Sequence, residues 1–252
     1  MERIRREPYN FSENFSGNWR LFQEVLKNPE TAFIYDNDGI FSDTSKEVFK
    51  RFNEKYKKYK TDAKPSDITE YNYLTRVAEA AGLGRNAIKH AEDGFYDPGL
   101  LNEAPAVYGI RRVIGATLSY YGPERNYILT SRNPEFKDVT ERWFKRKFPE
   151  FLPENIIIRR SKKISGEDFK VRELRRLASE NPWIVFVDDG EKFIKHALEA
   201  NIKNCLVVNI PVGKVQPEFT HKRFFAFKRY PDDLQAIYPF YDAVSQVLNG
   251  CK

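Results

Sequence analysis

Five short apolar runs, each ending abruptly in polar residues, recur along the chain. Runs of this length without alternation are typical of strands buried on both faces, as in a parallel sheet covered by helices. The sequence therefore predicts strands over residues 32–35, 126–129, 156–158, 183–187 and 204–208.

Helical periodicity fills most of the intervals between these runs. Apolar residues recur at three- and four-residue spacing, as in Val139, Trp143, Phe144 and Phe148, which gives a helix one apolar face. Strands that alternate with helices indicate right-handed βαβ units, so we predict a doubly wound α/β fold with a parallel sheet. The helices are expected over residues 107–121, 136–148, 169–179 and 192–200.

Residues 44–101 break this alternation, because they contain no convincing strand. Their pattern predicts helices over residues 45–59 and 68–81 and a turn over residues 94–99. A helical insert after the first strand is a candidate lid over the edge of the sheet that binds ligands. We therefore predict a core of residues 1–43 and 102–252 and a small all-helical cap domain of residues 44–101.

Composition narrows the class of protein. The chain of 252 residues is 41% hydrophobic and 31% charged, which is the balance of a soluble globular protein. No apolar stretch approaches the ~18–20 residues of a membrane span, and the N-terminus lacks the apolar region of a secretory signal. Cys205 and Cys251 form neither a disulfide framework nor a zinc motif. We therefore expect a cytoplasmic protein without a membrane partner.

Two of the predicted strands are followed by acidic residues and a glycine. The first precedes Asp36-Asn37-Asp38-Gly39, and the fourth precedes Asp188-Asp189-Gly190. Carboxylates held this close repel one another unless a cation compensates them, and Mg²⁺ prefers such oxygen ligands and commonly bridges to phosphate. Alternatively, each acidic segment could simply cap the helix that follows it, but two such caps at the ends of two strands of one sheet would be a coincidence. Parallel strands that both end in acids would instead bring their charges together at one edge of the sheet.

Further polar residues suit a phosphate. Thr130 and Ser131 follow the second strand and could donate hydrogen bonds to a phosphoryl oxygen, although hydroxyls there could equally cap the next helix. A cation is also expected beside Asp36 and the phosphate of a substrate. Lys170, near the start of a predicted helix, is the first candidate, and Lys162 and Lys163 compete with it.

Four features follow one another along the chain: Asp36-x-Asp38-Gly39, a strand ending in Thr130, Lys170, and a strand leading to Asp188-Asp189. In this order they resemble the four motifs of the haloacid dehalogenase superfamily of phosphohydrolases. The resemblance implies a Rossmann-like core, a helical cap inserted directly after the first motif, and Mg²⁺ as the cofactor. The Asp-Asp-Gly-Glu-Lys form of the last motif resembles nucleotidase-like members. Ile40 departs from the pattern, since many members have Thr there.

The same resemblance implies a role for each residue. Asp36 would be the nucleophile that forms an aspartyl-phosphate, and Asp38 would be the general acid and then the general base. The remaining implied roles are catalysis and phosphate binding by Lys170, phosphate binding by Thr130 and Ser131, and metal binding by Asp36, Asp38 (through its backbone carbonyl), Asp189 and Asp188, the last directly or in support.

The leading hypothesis is a phosphoric monoester hydrolase that acts on a small phosphorylated metabolite. A nucleotide is one candidate, because aromatic residues of the insert could stack on a base, although they could equally pack within the cap: Tyr71, Tyr73, Phe95 and Tyr96. One alternative is a phosphatase that acts on phosphorylated nucleic-acid ends and uses the formal charge of +6. Another is a non-catalytic binding protein that retains the fold. No nucleic-acid-binding motif accompanies the charge, which favours the small substrate.

Overall fold

The described part of the chain is built around one sheet with helices on both sides. The structure, a computed structural model, describes residues 15–64, 73–93, 97–210, 219–227 and 237–250. Within these ranges, every helix is too short or too polar to cross a lipid bilayer.

Seven strands form the sheet in the order β1-β7-β6-β5-β2-β3-β4. Strands β2 to β7 are all parallel, and β1 pairs with β7 in the antiparallel direction. The predicted doubly wound α/β fold is therefore confirmed, and each of the five predicted strands coincides with one of β2 to β6. The strands are β1 (Phe15–Ser16), β2 (Thr31–Tyr35), β3 (Asn126–Thr130), β4 (Ile156–Ile158), β5 (Trp183–Asp188), β6 (Cys205–Asn209) and β7 (Phe224–Phe227).

Ten α-helices lie in the described residues. They are α1 (Trp19–Lys27), α2 (Thr44–Lys55), α3 (Tyr73–Ala80), α4 (Arg85–Asp93), α5 (Pro98–Glu103), α6 (Ile110–Tyr121), α7 (Lys137–Lys147), α8 (Gly166–Glu180), α9 (Glu191–Glu199) and α10 (Ile237–Asn249). The four helices expected between the strands are α6 to α9, with ends shifted by up to three residues.

The two faces of the sheet are buried by different helices. Phe33 and Tyr35 of β2 pack in a cluster with α1, α6, α7 and α10, whereas Ala32 and Ile34 pack in a second cluster with α8 and α9. Successive side chains of a strand point to opposite faces. A strand covered on both faces is therefore apolar at every position, which explains why these strands carry no alternation.

Successive parts of the chain build the two halves of the sheet. It runs from β2 to β3 and β4 on one side, and then returns to β5 on the other side of β2. The ends of β2 and β5 thus lie at the point where the strand order reverses. Such a point, at the carboxyl edge of the sheet, is where open α/β sheets bind their ligands.

The predicted insert is helical wherever it is described. Helices α2 to α5 share a third apolar cluster, which also includes Phe136 and Val139 at the start of α7. Tyr73 packs on Phe49 with ring centroids 5.8 Å apart, as expected of a packing residue. Tyr71, Phe95 and Tyr96 lie outside the described residues. The division into a core and a cap stays a prediction.

Several boundaries within the insert were predicted wrongly. The helix expected over 45–59 ends at Lys55, and a short 3₁₀ turn follows it. Asp97 accepts a hydrogen bond from the backbone N–H of Leu100 at 2.6 Å, so it caps α5 where a turn was expected. Helix α4 was not predicted. Short helices capped by turn-forming residues give turn signals and helix signals in the same few positions.

Elements at both ends of the chain were also missed. Helix α1, strands β1 and β7 and helix α10 extend the sheet and cover one face of it. Strand β1 has two residues, which is too short for a periodicity to be recognised. Strand β7 has four residues and was missed, although the three-residue β4 was predicted.

Candidate active site

The two acidic segments meet at the carboxyl edge of the sheet. Strands β2 and β5 are adjacent and parallel, and the backbone N–H of Asp36 donates to the carbonyl of Val187 at 2.8 Å. Asp36 directly follows β2, and Asp188 is the last residue of β5. Both side chains are buried. The convergence expected from the sequence is therefore present in the structure.

The ammonium group of Lys170 lies between these two carboxylates. Its Nζ is 2.8 Å from Oδ1 of Asp36 and 2.7 Å from Oδ2 of Asp188, and only 2% of its side chain is exposed. Burial alone would lower the pKa of Lys170, but the charges and hydrogen bonds of Asp188 and Asp36 outweigh it and raise that pKa above its ordinary value. The group therefore stays positively charged.

Helix α8 delivers Lys170 to this position. Ser165 caps the helix by accepting from the backbone N–H of Asp168 at 3.0 Å, and the ammonium lies 3.8 Å from the centroid of the Phe193 ring. The competing candidates lie elsewhere: Lys162 pairs with Glu135 at 2.6 Å, and Lys163 is exposed.

Asp189 completes a group of three acids that could hold a metal ion. One oxygen from each of Asp36, Asp188 and Asp189 lies within 4.8 Å of the others. Among the described residues, these three form the cluster of potential metal ligands. Oδ1 of Asp188 also accepts from the backbone N–H of Gly190 at 2.7 Å. Gly39 has φ +82° and lies so close to Asp189 that an added Cβ would collide with its carboxylate.

The three acids carry more negative charge than Lys170 neutralises. Ionised, they and the ammonium leave two negative charges uncompensated. Burial raises the pKa of Asp36 to about 7, with Lys170 opposing the rise. Burial and the charges of Asp188 and Asp36 raise the pKa of Asp189 well above its ordinary value. The site therefore fits a divalent cation in charge, and its carboxylate oxygens are the donors that Mg²⁺ prefers.

Asp38 is not one of these three acids, and a guanidinium holds it. Arg132 donates from Nε to Oδ2 of Asp38 at 2.9 Å and from Nη2 to Oδ1 at 2.6 Å, and Thr44 Oγ1 donates to Oδ1 at 2.6 Å. Burial alone would raise the pKa of Asp38, but Arg132 and Thr44 lower it below its ordinary value. The carboxylate of Asp38 is therefore not in the candidate metal group, and only its backbone carbonyl is left for that purpose.

The two hydroxyl residues lie at the end of β3. Thr130 is buried, and its Oγ1 accepts from the backbone N–H of Arg132 at 3.3 Å. Ser131 lies against the first residue of α8, since a Cβ added at Gly166 would be 2.9 Å from the Cβ of Ser131. Strand β3 neighbours β2 in parallel, so both residues follow a strand that ends at the same edge of the sheet as the acids.

The loop after Asp38 is fixed to the core by an aromatic ring. Phe41 is fully buried and packs edge-on against Phe144, Phe148 and Phe151, with ring centroids 5.0 to 5.5 Å apart. Ile40 is also fully buried, which explains an apolar residue where the resemblance leads one to expect Thr.

Sequence reasoning missed the part played by Arg132 and Thr44. A guanidinium directly after the hydroxyls of β3 was visible in the sequence, but its partner is 94 residues away. Thr44 reads as the first residue of a helix. Neither pattern indicates a contact with Asp38.

The fold recurs in solved structures. A haloacid dehalogenase-superfamily hydrolase from Ehrlichia chaffeensis is 16% identical, with 86% of this chain and 97% of that one covered and a TM-score of 0.48. Protein Tyrosine Kinase A from Mycobacterium tuberculosis is 14% identical, with 87% and 98% covered and a TM-score of 0.51. CbbY from Rhodobacter sphaeroides, solved in complex with phosphate, is 17% identical, with 77% and 92% covered and a TM-score of 0.47.

At a TM-score of 0.51, the likeness to Protein Tyrosine Kinase A shows a shared fold. No protein-family model and no curated protein matches its sequence. A likeness at 14% identity shows the fold alone and leaves the activity open. The activity of this chain therefore has to be argued from its own site.

The close approach of Gly39 to Asp189 gives a testable prediction. Gly39→Ala and Gly82→Ala both place a side chain at positive φ, but a Cβ at Gly82 would meet nothing within 4 Å. Gly82→Ala should therefore lower the free energy of unfolding by only about 1–2 kcal/mol, the cost of the left-handed backbone. Gly39→Ala should cost clearly more, because it also displaces a carboxylate. Urea denaturation of both variants measures this, and equal losses would contradict the described site.

Proposed function

We propose that the protein is a Mg²⁺-dependent phosphohydrolase that cleaves a phosphomonoester through an aspartyl-phosphate at Asp36. The observation that carries the proposal is the buried ammonium of Lys170, held within 2.8 Å of Asp36 and Asp188 beside the third acid, Asp189. A buried carboxylate that is held by a fixed cation and lies next to a candidate cation site is suited to attack phosphorus.

The metal would be held by Asp36, Asp189 and the backbone carbonyl of Asp38, with Asp188 as a direct ligand or in support. Bound there, Mg²⁺ would neutralise charge on the phosphoryl oxygens. Its fit rests on the two negative charges that Lys170 leaves uncompensated and on the oxygen-only donor set.

In the first step, a carboxylate oxygen of Asp36 attacks phosphorus. The new bond joins Asp36 to phosphorus while the bond from phosphorus to the ester oxygen breaks. Asp38 gives a proton to the departing oxygen only in the fraction of molecules protonated at Oδ2, a form that its lowered pKa makes the minority. Lys170 fixes the attacking carboxylate. The hydroxyls of Thr130 and Ser131 donate hydrogen bonds to the transferring group, which spreads its charge over its oxygens.

In the second step, water attacks the phosphorus of the aspartyl-phosphate. Asp38 takes a proton from that water, the bond between Asp36 and phosphorus breaks, and inorganic phosphate leaves. The lowered pKa of Asp38 suits this step, because a carboxylate accepts the proton. Leaving groups that depart as stable anions, such as p-nitrophenolate, would not need the proton of the first step.

The substrate we propose is a small phosphorylated metabolite, with a nucleotide as one candidate. The formal charge of +6 favours an acidic substrate. The helices of the insert follow directly on the Asp38 loop, and we propose that they form the cap that selects the rest of the substrate.

Asp36→Asn tests the proposed chemistry. With p-nitrophenyl phosphate and Mg²⁺, the wild-type protein should release phosphate, and the variant should lose activity by about 10³-fold or more because an amide is a poor nucleophile. Glu199→Gln is the matched control, since Glu199 is an exposed acid that pairs only loosely with Lys195, at 3.9 Å. Phosphate release by Asp36→Asn at the wild-type rate would exclude Asp36 as the nucleophile.

The same assay with nucleotides, sugar phosphates and 3′-phosphorylated oligonucleotides separates the substrate classes. We expect the highest kcat/KM with a small phosphate ester. A preference for oligonucleotides that falls steeply with added salt would instead favour a nucleic-acid phosphatase.

Metal binding can be measured without activity. At about 100 times its Kd, Mg²⁺ should raise the free energy of unfolding of the wild-type protein by about 2.7 kcal/mol. Asp189→Asn should lose this gain, and without divalent ions it should be at least as stable as wild type, because one of three crowded like charges is removed. Glu199→Gln should keep the full gain. An undiminished Mg²⁺ effect in Asp189→Asn would contradict the metal site.

A further inference from the structure

Arg132 is a buried cation that faces a partly exposed carboxylate. Its side chain is 5% exposed, whereas that of Asp38 is 40% exposed. The guanidinium therefore approaches Asp38 from the protein interior and leaves the opposite side of the carboxylate open to solvent.

The two groups are joined by two nearly parallel hydrogen bonds. Nε and Nη2 of Arg132 each donate to a different oxygen of Asp38, at 2.9 and 2.6 Å. This fork fixes both the position and the plane of the carboxylate, which a single ammonium could not do.

The guanidinium is itself held in place from two directions. Its Nη1 donates to Oγ1 of Thr140 on α7 at 3.1 Å. The side-chain amide of Asn37, oriented with its oxygen toward Arg132, accepts from the second N–H of Nη2 at 2.9 Å. Thr140 and Asn37 are both fully buried. Arg132 therefore cannot follow Asp38 if that side chain moves, and it acts as a rigid support.

The hydrogen bonds also distinguish the two oxygens of Asp38. Oδ1 accepts from Arg132 and from Thr44 Oγ1, both at 2.6 Å, whereas the described residues give Oδ2 one partner, Arg132 Nε. A carboxylate oxygen has two lone pairs. Oδ2 therefore keeps one lone pair for a proton or a water molecule.

We infer that Arg132 is a positioning residue that fixes Asp38 with Oδ2 directed at the oxygen that gains or loses a proton. This inference rests on the proposed phosphohydrolase function and extends it to a residue outside the attacking and metal-binding groups. Because Arg132 acts on proton transfer alone, its loss should lower kcat and change KM only weakly.

Arg132→Ala and Arg132→Lys test this role. With p-nitrophenyl phosphate, for which Asp38 is needed only as the base of the second step, Arg132→Ala should lower kcat by about 10²-fold, the lower end of what general acid–base catalysis contributes, and KM should change by less than about threefold. Millimolar guanidinium ion should restore part of the lost kcat by filling the vacated space, and urea at equal concentration should not. Arg132→Lys should remain well below wild type, because its ammonium cannot hold both oxygens.

Arg223→Ala is the matched control. Arg223 is also buried and also donates to a side-chain oxygen, that of Asn201 at 2.5 Å, but it lies on the loop before β7. Its loss should lower stability, leave kcat near the wild-type value and show no response to guanidinium.

Three results would overturn the inference: an Arg132→Ala protein that keeps kcat within about threefold of wild type, a folded Arg132→Ala protein that guanidinium does not rescue, or an Arg132→Lys protein with full kcat. If Arg132→Ala does not fold, Arg132→Lys decides. An inactive wild-type protein would refute the proposed function instead. An active wild type whose activity needs Asp36 but not Arg132 would refute only this inference.

Discussion

The ammonium of Lys170 is the interaction on which the rest of the site depends. Three acids crowd the carboxyl edge of the sheet, and two of them are buried. Burying like charges together is unfavourable, and removing one partner of a buried ion pair commonly costs about 3–5 kcal/mol. Lys170 contacts Asp36 and Asp188 at once, so it allows both to stay in the protein interior. With all three acids ionised, Lys170 leaves two negative charges uncompensated, which a divalent cation would neutralise.

The fold separates the site into two halves, each supported from within. In one half, strands β2 and β5 place the acids side by side, and α8 brings Lys170 beneath them. In the other half, Arg132 at the end of β3 supports Asp38. Asp36 and Asp38, the proposed attacking and proton-transferring groups, are thus fixed by different cations on different elements. The charge of Asp38, two residues from Asp36 in sequence, still raises the pKa of Asp36, so the two halves are coupled electrostatically.

Features of the fold and site that leave a pattern in neighbouring residues could be predicted from the sequence, and contacts between distant residues could not. Strands β2 to β6 were predictable because burial on both faces makes them apolar without interruption. Asp36, Asp188 and Asp189 were predictable as neighbours because parallel strands end at one edge. The contact between Arg132 and Asp38 was not, since it joins residues 94 positions apart and no local pattern around Arg132 points to Asp38. Strand β1, with two residues, left no periodicity to detect.

The most direct test of the account is to locate the phosphoryl group during turnover. The protein would be mixed with substrate and Mg²⁺, quenched in acid within one turnover, digested, and the peptides analysed by mass spectrometry. The account predicts one phosphoryl group on the peptide that contains Asp36, and none on that peptide in Asp36→Asn. A phosphoryl group on another residue, or turnover of the wild-type protein with no phosphorylated peptide at any quench time, would contradict it.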